Sequence, residues 1–314
     1  MAVVNTEMEV SKSMDYLQSL LSPLSAMEFL RSDWGERFVQ LDGTDEKFSH
    51  LFSWELLNNA LESYPLCPPR MTLCRSGEQI APKKFMSSHA LSDRGTDAWL
   101  KATDLMNELG SGATLVLKYA DELSEPLRNL TVRLEEIFHT YINVNLYAAF
   151  RTDNGLSLHW DDQDTLILQV IGRKRWVIFE PTRIHPLRED RRPVPRPSAP
   201  PVWEGILNQG GLLHIPRGWL HVAYPLDQPS LHLTFTVQCA TGLDFLRWFV
   251  SSLCKHAELR ANLPLWAGSE DQRLRLNVFK RQLIDEWERA SIDRFVDDRD
   301  AMRVRRPHVT LPEC

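Results

Sequence analysis

The spacing of apolar residues changes from a helical period to a period of two near residue 141. Before it, apolar positions recur every three or four residues behind helix-start signals, as in WELLNNALES after Ser53 and EPLRNLTVRLEEIFH after Ser124. Beyond it, short runs such as INVNLYAAF, TLILQVI and SLHLTFTV are separated by Gly, Pro, Asp and Asn, which is typical of a sandwich or barrel. We therefore expect a mostly helical lead-in over 1–140 that packs on the core, a β core over 141–240 and a helical region over 241–314.

Composition and charge exclude some classes of protein. The chain is 43% hydrophobic and 25% charged, as in ordinary globular proteins, and no stretch approaches the length of a membrane span. A net charge of -6 argues against an extensive nucleic-acid-binding surface, because phosphate binding depends on Lys and Arg. We expect neither membrane nor nucleic-acid partners.

Targeting signals and cysteine usage favour the cytoplasm. The N-terminal MAVVNTEMEVSKSMDYLQ lacks the features of a signal or transit peptide. Five cysteines, with no C-x-x-C pair, indicate neither a disulfide framework nor a zinc knuckle, so we expect reduced thiols.

One long segment, 183–203, is rich in Arg and Pro and is unsuited to a central strand. It is either a solvated connector or a lid over a pocket, and its arginines could attract an acidic peptide. Arg191 and Arg192 are the candidates for that steering.

Two histidines and one aspartate suggest a metal site. If 157–161 is a strand, His159 and Asp161 project from one face, and His221 starts a second strand after the turn of Pro216 and Gly218. Two histidines and a carboxylate on one side of a metal match the facial triad of non-haem Fe(II) oxygenases. Taken alone, however, a His-x-Asp motif is more commonly a hydrogen-bonded pair than a ligand set.

Lys174 follows these residues on the next hairpin. A period of two places it on one face with Trp176 and Ile178, so that its ammonium would lie among apolar groups and require an anion such as a dicarboxylate. The alternative places Lys174 in an exposed turn with Arg173 and Arg175, as lysine usually prefers.

Further polar residues alternate with apolar ones in two predicted strands. The pairs are Asn145 with Tyr147, and Thr234 with Thr236. Such a polar face usually meets solvent, but in a ligand-holding barrel it points inward. The nearby histidines His214 and His232 are expected to be hydrogen-bonded wall residues and not ligands.

The segments HWDDQDTLILQVIGRKRWVIFEP and GGLLHIPRGWLHVAYP resemble the JmjC-type cupin proteins related to the ribosomal oxygenases, and FLRSDWGERFVQL resembles their lead-in helices. The resemblance implies an α+β protein with a double-stranded β-helix (cupin, or jelly-roll) core. It also implies a C-terminal helical region that forms a homodimer. It places the iron ligands at His159, Asp161 and His221, the 2-oxoglutarate lysine at Lys174, and further cosubstrate-binding residues at Asn145, Tyr147, Thr234 and Thr236.

The function that this resemblance implies is an Fe(II)- and 2-oxoglutarate-dependent oxygenase. Such an enzyme hydroxylates a protein or peptide side chain and releases succinate and CO2. Two alternatives stay open at this point, since fold does not fix function. One is a non-catalytic cupin that binds a small anion, and the other is a metal-dependent enzyme of another class.

Overall fold

The computed structural model describes residues 2–91, 95–152, 155–190, 196–197, 199–226, 228–303 and 306. It divides into two compact units. The first comprises Met1–Phe138 and Ile142–Gln238, and the second His139–Tyr141 and Cys239–Cys314.

The secondary structure of the described residues comprises nine helices and thirteen strands. The helices are α1 (Ala2–Leu21), α2 (Ala26–Ser32), α3 (Trp54–Ser63), α4 (Ala102–Gly110), α5 (Glu125–Phe138), α6 (Gly242–Ser252), α7 (Ala257–Arg260), α8 (Ser269–Arg289) and α9 (Ile292–Met302). The strands are β1 (Val39–Leu41), β2 (Met71–Arg75), β3 (Glu78–Gln79), β4 (Met86–Leu91), β5 (Gly95–Leu100), β6 (Thr114–Lys118), β7 (Ile142–Ala149), β8 (Asp164–Ile171), β9 (Lys174–Phe179), β10 (Trp203–Leu207), β11 (Leu212–Ile215), β12 (Leu220–Pro225) and β13 (Ser230–Val237).

Two antiparallel sheets form the core of the first unit. The larger has the order β1-β11-β8-β13-β7-β6-β2-β3, and the smaller has the order β10-β9-β12. Strand β13 pairs with β7 on one side and with β8 on the other, so that chain-distant segments meet at the centre of the larger sheet. This is the predicted jelly-roll arrangement, in which two sheets enclose the core and can hold a ligand between them.

Alternation along β7 and β13 determines which side chains face the smaller sheet. Apolar residues such as Val144 and Phe235 are fully buried on one face. The opposite face carries Tyr147 and Thr234, and residues from it line a cavity between the sheets. The polar face therefore points inward, which is the less common of the two outcomes that the sequence allows.

The N-terminal segment differs from the predicted helical lead-in. Its helices include the two with expected caps: Ser53 accepts a hydrogen bond from the Leu56 N–H, and Ser124 accepts one from the Leu127 N–H. However, β1, β2, β3 and β6 from this segment complete the larger sheet. Periodicity missed them because β1 has three residues and TLVLK in β6 is a short buried run without alternation.

The second unit is helical, as predicted. Helices α6, α8 and α9 pack through an aromatic cluster that includes Phe245, Trp287 and Phe295, with ring centroids 5.6 to 5.9 Å apart for the pairs that Phe245 makes with the other two. Glu286 is buried beside Lys255, whose Nζ lies 2.7 Å from its Oε1. That hydrogen bond lowers the pKa of Glu286, so this carboxylate stays charged and ties α8 to the preceding segment. Among the described helices, none is both long and apolar enough to cross a membrane.

Candidate metal and cosubstrate site

A cavity of about 560 Å³, counted with its open mouth, lies between the two sheets. The strand residues in its wall come from β6, β7, β8, β9, β12 and β13, and a loop before β8 completes it. Its lining residues are Thr114, Tyr147, Gly155, Leu156, His159, Asp161, Thr165, Ile167, Lys174, Trp176, His221, Ala223, Pro225, His232 and Thr234. A concave site with a few convergent polar groups is the usual form of a ligand pocket.

Three of the lining residues form a cluster suited to a metal ion. His159, Asp161 and His221 each offer one ligand atom, and these atoms lie within 4.8 Å of one another. The Nε2 of His221 lies 3.7 Å from Oδ2 of Asp161. His221 is buried, whereas Asp161 has 37% of its side chain exposed, so the cluster is open on the cavity side.

The strand expected over 157–161 does not form. His159 instead makes a single β-bridge with His221, through N–H···O bonds of 3.2 and 2.8 Å in the two directions. The Gly218 N–H donates to the carbonyl of Asp161 at 2.9 Å. The prediction of a strand was therefore wrong, because the backbone contacts that hold these ligands come from β12 and its turn and are not visible in local alternation.

Hydrogen bonds orient both histidine rings for coordination. The Nδ1 of His159 lies 2.8 Å from the Ser157 carbonyl, and the Nδ1 of His221 lies 3.0 Å from the Trp219 carbonyl. A carbonyl only accepts, so each Nδ1 carries the proton and each Nε2 keeps its lone pair for a metal. Burial lowers the pKa of His221 to about 4, and the neighbouring His159 acts in the same direction. The ring of His221 is therefore neutral at pH 7, and the donor set fits a divalent metal.

Lys174 lies in the same cavity and is 2% exposed, so the alternative of an exposed turn is excluded. Its Nζ lies 2.8 Å from Nδ1 of His232 and 3.4 Å from the Tyr147 carbonyl. No carboxylate among the described residues lies within ion-pair distance. Burial lowers its pKa to about 7. An amine in this position gains its full charge only when an anion enters the cavity.

Aromatic rings surround the lysine and separate it from the three-residue cluster. Tyr147 stacks on His232 at 4.7 Å, and Trp176 lies 5.5 Å from His232 and 6.2 Å from His221. Burial, followed by the charge of Lys174, lowers the pKa of His232 well below its usual range. Burial raises the pKa of the Tyr147 phenol, so the phenol stays protonated. The wall beside Lys174 therefore consists of neutral groups.

The other predicted site residues divide into two groups. Tyr147 and Thr234 line the cavity, whereas Asn145 is not a lining residue and reaches Tyr147 through a side-chain hydrogen bond. Thr236 does not line the cavity either. Its hydroxyl donates a hydrogen bond to the Asn143 carbonyl at 3.1 Å. The same face of a strand thus carries both cavity residues and residues beyond the cavity's end.

Of the two additional histidines, His232 is a hydrogen-bonded wall residue, as predicted, whereas His214 is hydrogen-bonded but does not line the cavity. His232 receives the hydrogen bond from Lys174. His214 stacks on Trp34 at 4.6 Å, its Nδ1 bonds the Thr165 carbonyl and its Nε2 accepts from the Gly35 N–H. Both ring nitrogens of His214 are occupied, so it has none free for a metal. Of the Arg- and Pro-rich segment, Arg191 and Arg192 lie outside the described residues.

Comparisons with known proteins identify the domain that carries this site. A family model for the JmjC domain matches residues 122–245. The chain is 25% identical over 335 residues to the bifunctional lysine-specific demethylase and histidyl-hydroxylase NO66 of Drosophila persimilis, covering 98% of this chain and 46% of the relative. It therefore spans about half the length of that relative.

Solved structures with the same fold include ycfD from Escherichia coli, with a TM-score of 0.55 at 15% identity over 93% of this chain and 75% of the other. A second structure is that of YcfD, a ribosomal oxygenase, in complex with cobalt and 2-oxoglutarate. It has a TM-score of 0.53 at 16% identity over 93% of this chain and 74% of the other. At these identities the likeness establishes the fold. The family match identifies a JmjC domain over residues 122–245, and the sequence relatives show that the chain is similar to JmjC-type hydroxylases.

Proposed function

We propose that this chain is an Fe(II)- and 2-oxoglutarate-dependent oxygenase that hydroxylates a protein or peptide side chain. The observation that carries the proposal is a buried lysine that has no carboxylate partner among the described residues and lies in the same cavity as two histidines and one carboxylate, whose ligand atoms are within 4.8 Å of one another. A dicarboxylate with a metal-chelating keto acid at its other end would satisfy both groups. The names of the relatives, a histidyl-hydroxylase and a ribosomal oxygenase, support a protein substrate.

The residues have separate tasks in this proposal. His159, Asp161 and His221 would hold Fe(II) and leave the opposite coordination positions open. With iron bound and O2 as the oxidant, the site would supply oxidative decarboxylation of 2-oxoglutarate to succinate and CO2, in which one oxygen atom enters succinate and the other hydroxylates a C–H bond.

The chain's own groups bind and orient the cosubstrate. Lys174 would clamp its distal carboxylate, because a charge-assisted hydrogen bond is strongest where water is excluded. Tyr147 and Thr234 are proposed as further contacts in the wall, with Asn145 orienting the Tyr147 hydroxyl. The placement of Thr236 gives its predicted contact no support.

An anaerobic titration of metal-free protein with Fe(II) and 2-oxoglutarate tests the proposal without knowledge of the substrate. We expect the weak visible charge-transfer band of the chelated keto acid. The matched control is 2-oxobutyrate, which has the same keto acid group but lacks the distal carboxylate. Half-saturation with 2-oxobutyrate should require a concentration at least about 10-fold higher, because this keto acid has no distal carboxylate to accept a hydrogen bond from the charged Lys174.

Other results of this titration would contradict the proposal. Iron binding without a band would favour a metal-dependent enzyme of another class. Binding of 2-oxoglutarate without iron would favour an anion-binding cupin. Equal half-saturation by the two keto acids would show that Lys174 does not hold the distal carboxylate.

Self-association through the second unit is also proposed. Helix α6 exposes Leu243, Leu246 and Val250, which share one face at i, i+3 and i+7. Helix α8 exposes Leu276, Leu283, Ile284 and Trp287 at a similar spacing. Apolar stripes of this kind are typical of a surface that a partner covers.

We expect light scattering to report a dimer at micromolar concentrations, and Leu246→Glu to shift it toward the 36.3 kDa monomer. The introduced charge would have to be desolvated in the interface. Met106→Glu is the control, because Met106 is an exposed apolar residue on α4 of the first unit. A monomeric wild type, or equal effects of the two variants, would contradict dimerisation through these stripes.

A cytoplasmic location remains part of the proposal. It is supported by the thiols of Cys67, Cys74 and Cys254, which are free, as is usual in a reducing compartment. Fractionation of cells that produce the full chain would test it.

A further inference from the structure

The loop that leads to His159 rests on a hairpin outside the JmjC segment. Strands β2 and β3 are joined by a turn at Ser76 and Gly77, both with positive φ. The Gly77 N–H donates to the Gly155 carbonyl at 3.1 Å. The family match begins at residue 122, so this support comes from the N-terminal part of the chain.

The contact at Gly77 leaves no space for a side chain. A Cβ there would lie 1.6 Å from Oγ of Ser157, 2.8 Å from its Cβ and 3.3 Å from its backbone nitrogen. Rotation of the Ser157 hydroxyl would remove only the first of these clashes. The backbone of the loop would therefore have to move.

The opposite side of the loop is equally close to its neighbour. A Cβ at Gly155 would lie 2.4 Å from both Cβ and Oγ1 of Thr114 on β6. The loop is thus held between the hairpin turn and the larger sheet, and it has no room to yield without changing its path.

The loop is connected directly to the first proposed ligand. The carbonyl of Ser157 receives the Nδ1 hydrogen bond of His159 at 2.8 Å and so determines the direction of Nε2. The hairpin contact at Ser157 is therefore two positions from His159, the residue that would bind the metal.

We infer that Gly77 is a positioning residue of the metal site: the β2–β3 turn fixes the loop at Gly155 and Ser157, and the loop fixes the His159 ring. The inference rests on the proposed function for the role of His159. It extends the metal site to a hairpin that the JmjC match does not include. Partners that orient a ligand without touching the metal commonly change metal affinity 10- to 100-fold.

The test is a titration of metal-free full-length protein with Co(II), followed through its visible absorption. Gly77→Ala should weaken Co(II) binding by about 10-fold or more. Gly35→Ala is the matched control, because Gly35 also has a positive φ of 75° but its Cβ would meet only Asp164 Oδ1, at 3.9 Å. Both variants carry the backbone strain and should lower the melting temperature of the metal-free protein, Gly77→Ala further because of its clash with Ser157, while Gly35→Ala leaves Co(II) affinity within about threefold of wild type.

A second substitution tests whether Gly77 affects His159 through Ser157. Ser157→Gly removes the two side-chain atoms that clash but keeps the carbonyl that orients His159. The double variant Gly77→Ala/Ser157→Gly should therefore recover most of the lost Co(II) affinity, and Ser157→Gly alone should bind Co(II) nearly as wild type does.

The outcomes separate this inference from the proposed function. If wild type does not bind Co(II), the metal site fails and the inference fails with it. If wild type binds Co(II) and Gly77→Ala binds equally well, only the inference is overturned. A double variant that binds as weakly as Gly77→Ala would overturn the route through Ser157.

Discussion

Replacing Asp161 with Ala is expected to abolish metal binding and turnover. Asp161 is the single anionic member of the cluster, and the two histidines that remain are held by backbone carbonyls that cannot replace it. Loss of an outer partner already costs 10- to 100-fold in metal affinity, so loss of a ligand should exceed about 100-fold. The measurements are anaerobic Fe(II) affinity and oxygen consumption that depends on 2-oxoglutarate.

Asp104→Ala is a suitable control for this change. Asp104 lies on α4 with 41% of its side chain exposed, close to the 37% of Asp161, and it pairs with Lys101 at the surface. It should leave both iron affinity and oxygen consumption unchanged, since a surface pair contributes little. An Asp161→Ala protein that retains the wild-type rate would eliminate the proposed triad.

Replacing Lys174 with Met should weaken 2-oxoglutarate binding by about 10- to 100-fold while the metal still binds. The substitution keeps an unbranched side chain of similar length and removes the only cation close to this end of the cavity among the described residues. A hydrogen bond to a charged group is worth about 1.5–3 kcal/mol, which corresponds to that range. The half-saturation of the charge-transfer band measures it, with Lys118→Met on the exposed end of β6 as the control.

The same substitution should change how the stability of the cosubstrate-free protein depends on pH. Met removes an amine whose charged form is costly among neutral groups, together with its hydrogen bonds to His232 and the Tyr147 carbonyl. The wild-type pKa near 7 lies below the ordinary 10.5, so the unfolded chain binds more protons between these values. The free energy of unfolding of the wild type should therefore rise with pH between about 7 and 10.5. This contribution should be absent in Lys174→Met.

Urea unfolding at pH 7 and pH 9 would measure this difference. Wild type should gain stability relative to Lys174→Met between pH 7 and pH 9. An equal difference between the two proteins at both pH values would mean that Lys174 keeps its ordinary pKa in the folded protein, as it would beside an anion of the chain, and would contradict its assignment as a site for the cosubstrate's carboxylate.

The sequence predicted which site residues come together better than it predicted their local structure. Residue type and spacing, with the family resemblance, selected His159, Asp161 and His221, whose ligand atoms lie within 4.8 Å of one another, but the expected strand at 157–161 is a loop with one bridge. Alternation along β9 is consistent with the burial of Lys174 but did not decide it, because the usual preference of lysine for surfaces favoured an exposed turn in the basic GRKR segment.

Contacts between distant segments account for what sequence reasoning missed. The role of Gly77 depends on the approach of residue 155, some eighty positions later in the chain, and RSGEQ by itself indicates only a turn. Similarly, alternation placed Thr236 with Thr234 on one face, but it could not show where along β13 the cavity ends. A period of two shows which face of a strand a side chain occupies, but not how far along the strand a cavity extends.

The contribution of the N-terminal segment to the larger sheet has a consequence for how this protein can be divided. Strand β7 pairs with β6, and β11 pairs with β1, yet both of these partners precede residue 122. Cutting the chain to 122–245 would leave one side of β7 and one side of β11 with open backbone donors and acceptors next to apolar side chains, which is the typical template for aggregation. The segment that matches the JmjC family model therefore lacks strands that it would need to fold on its own.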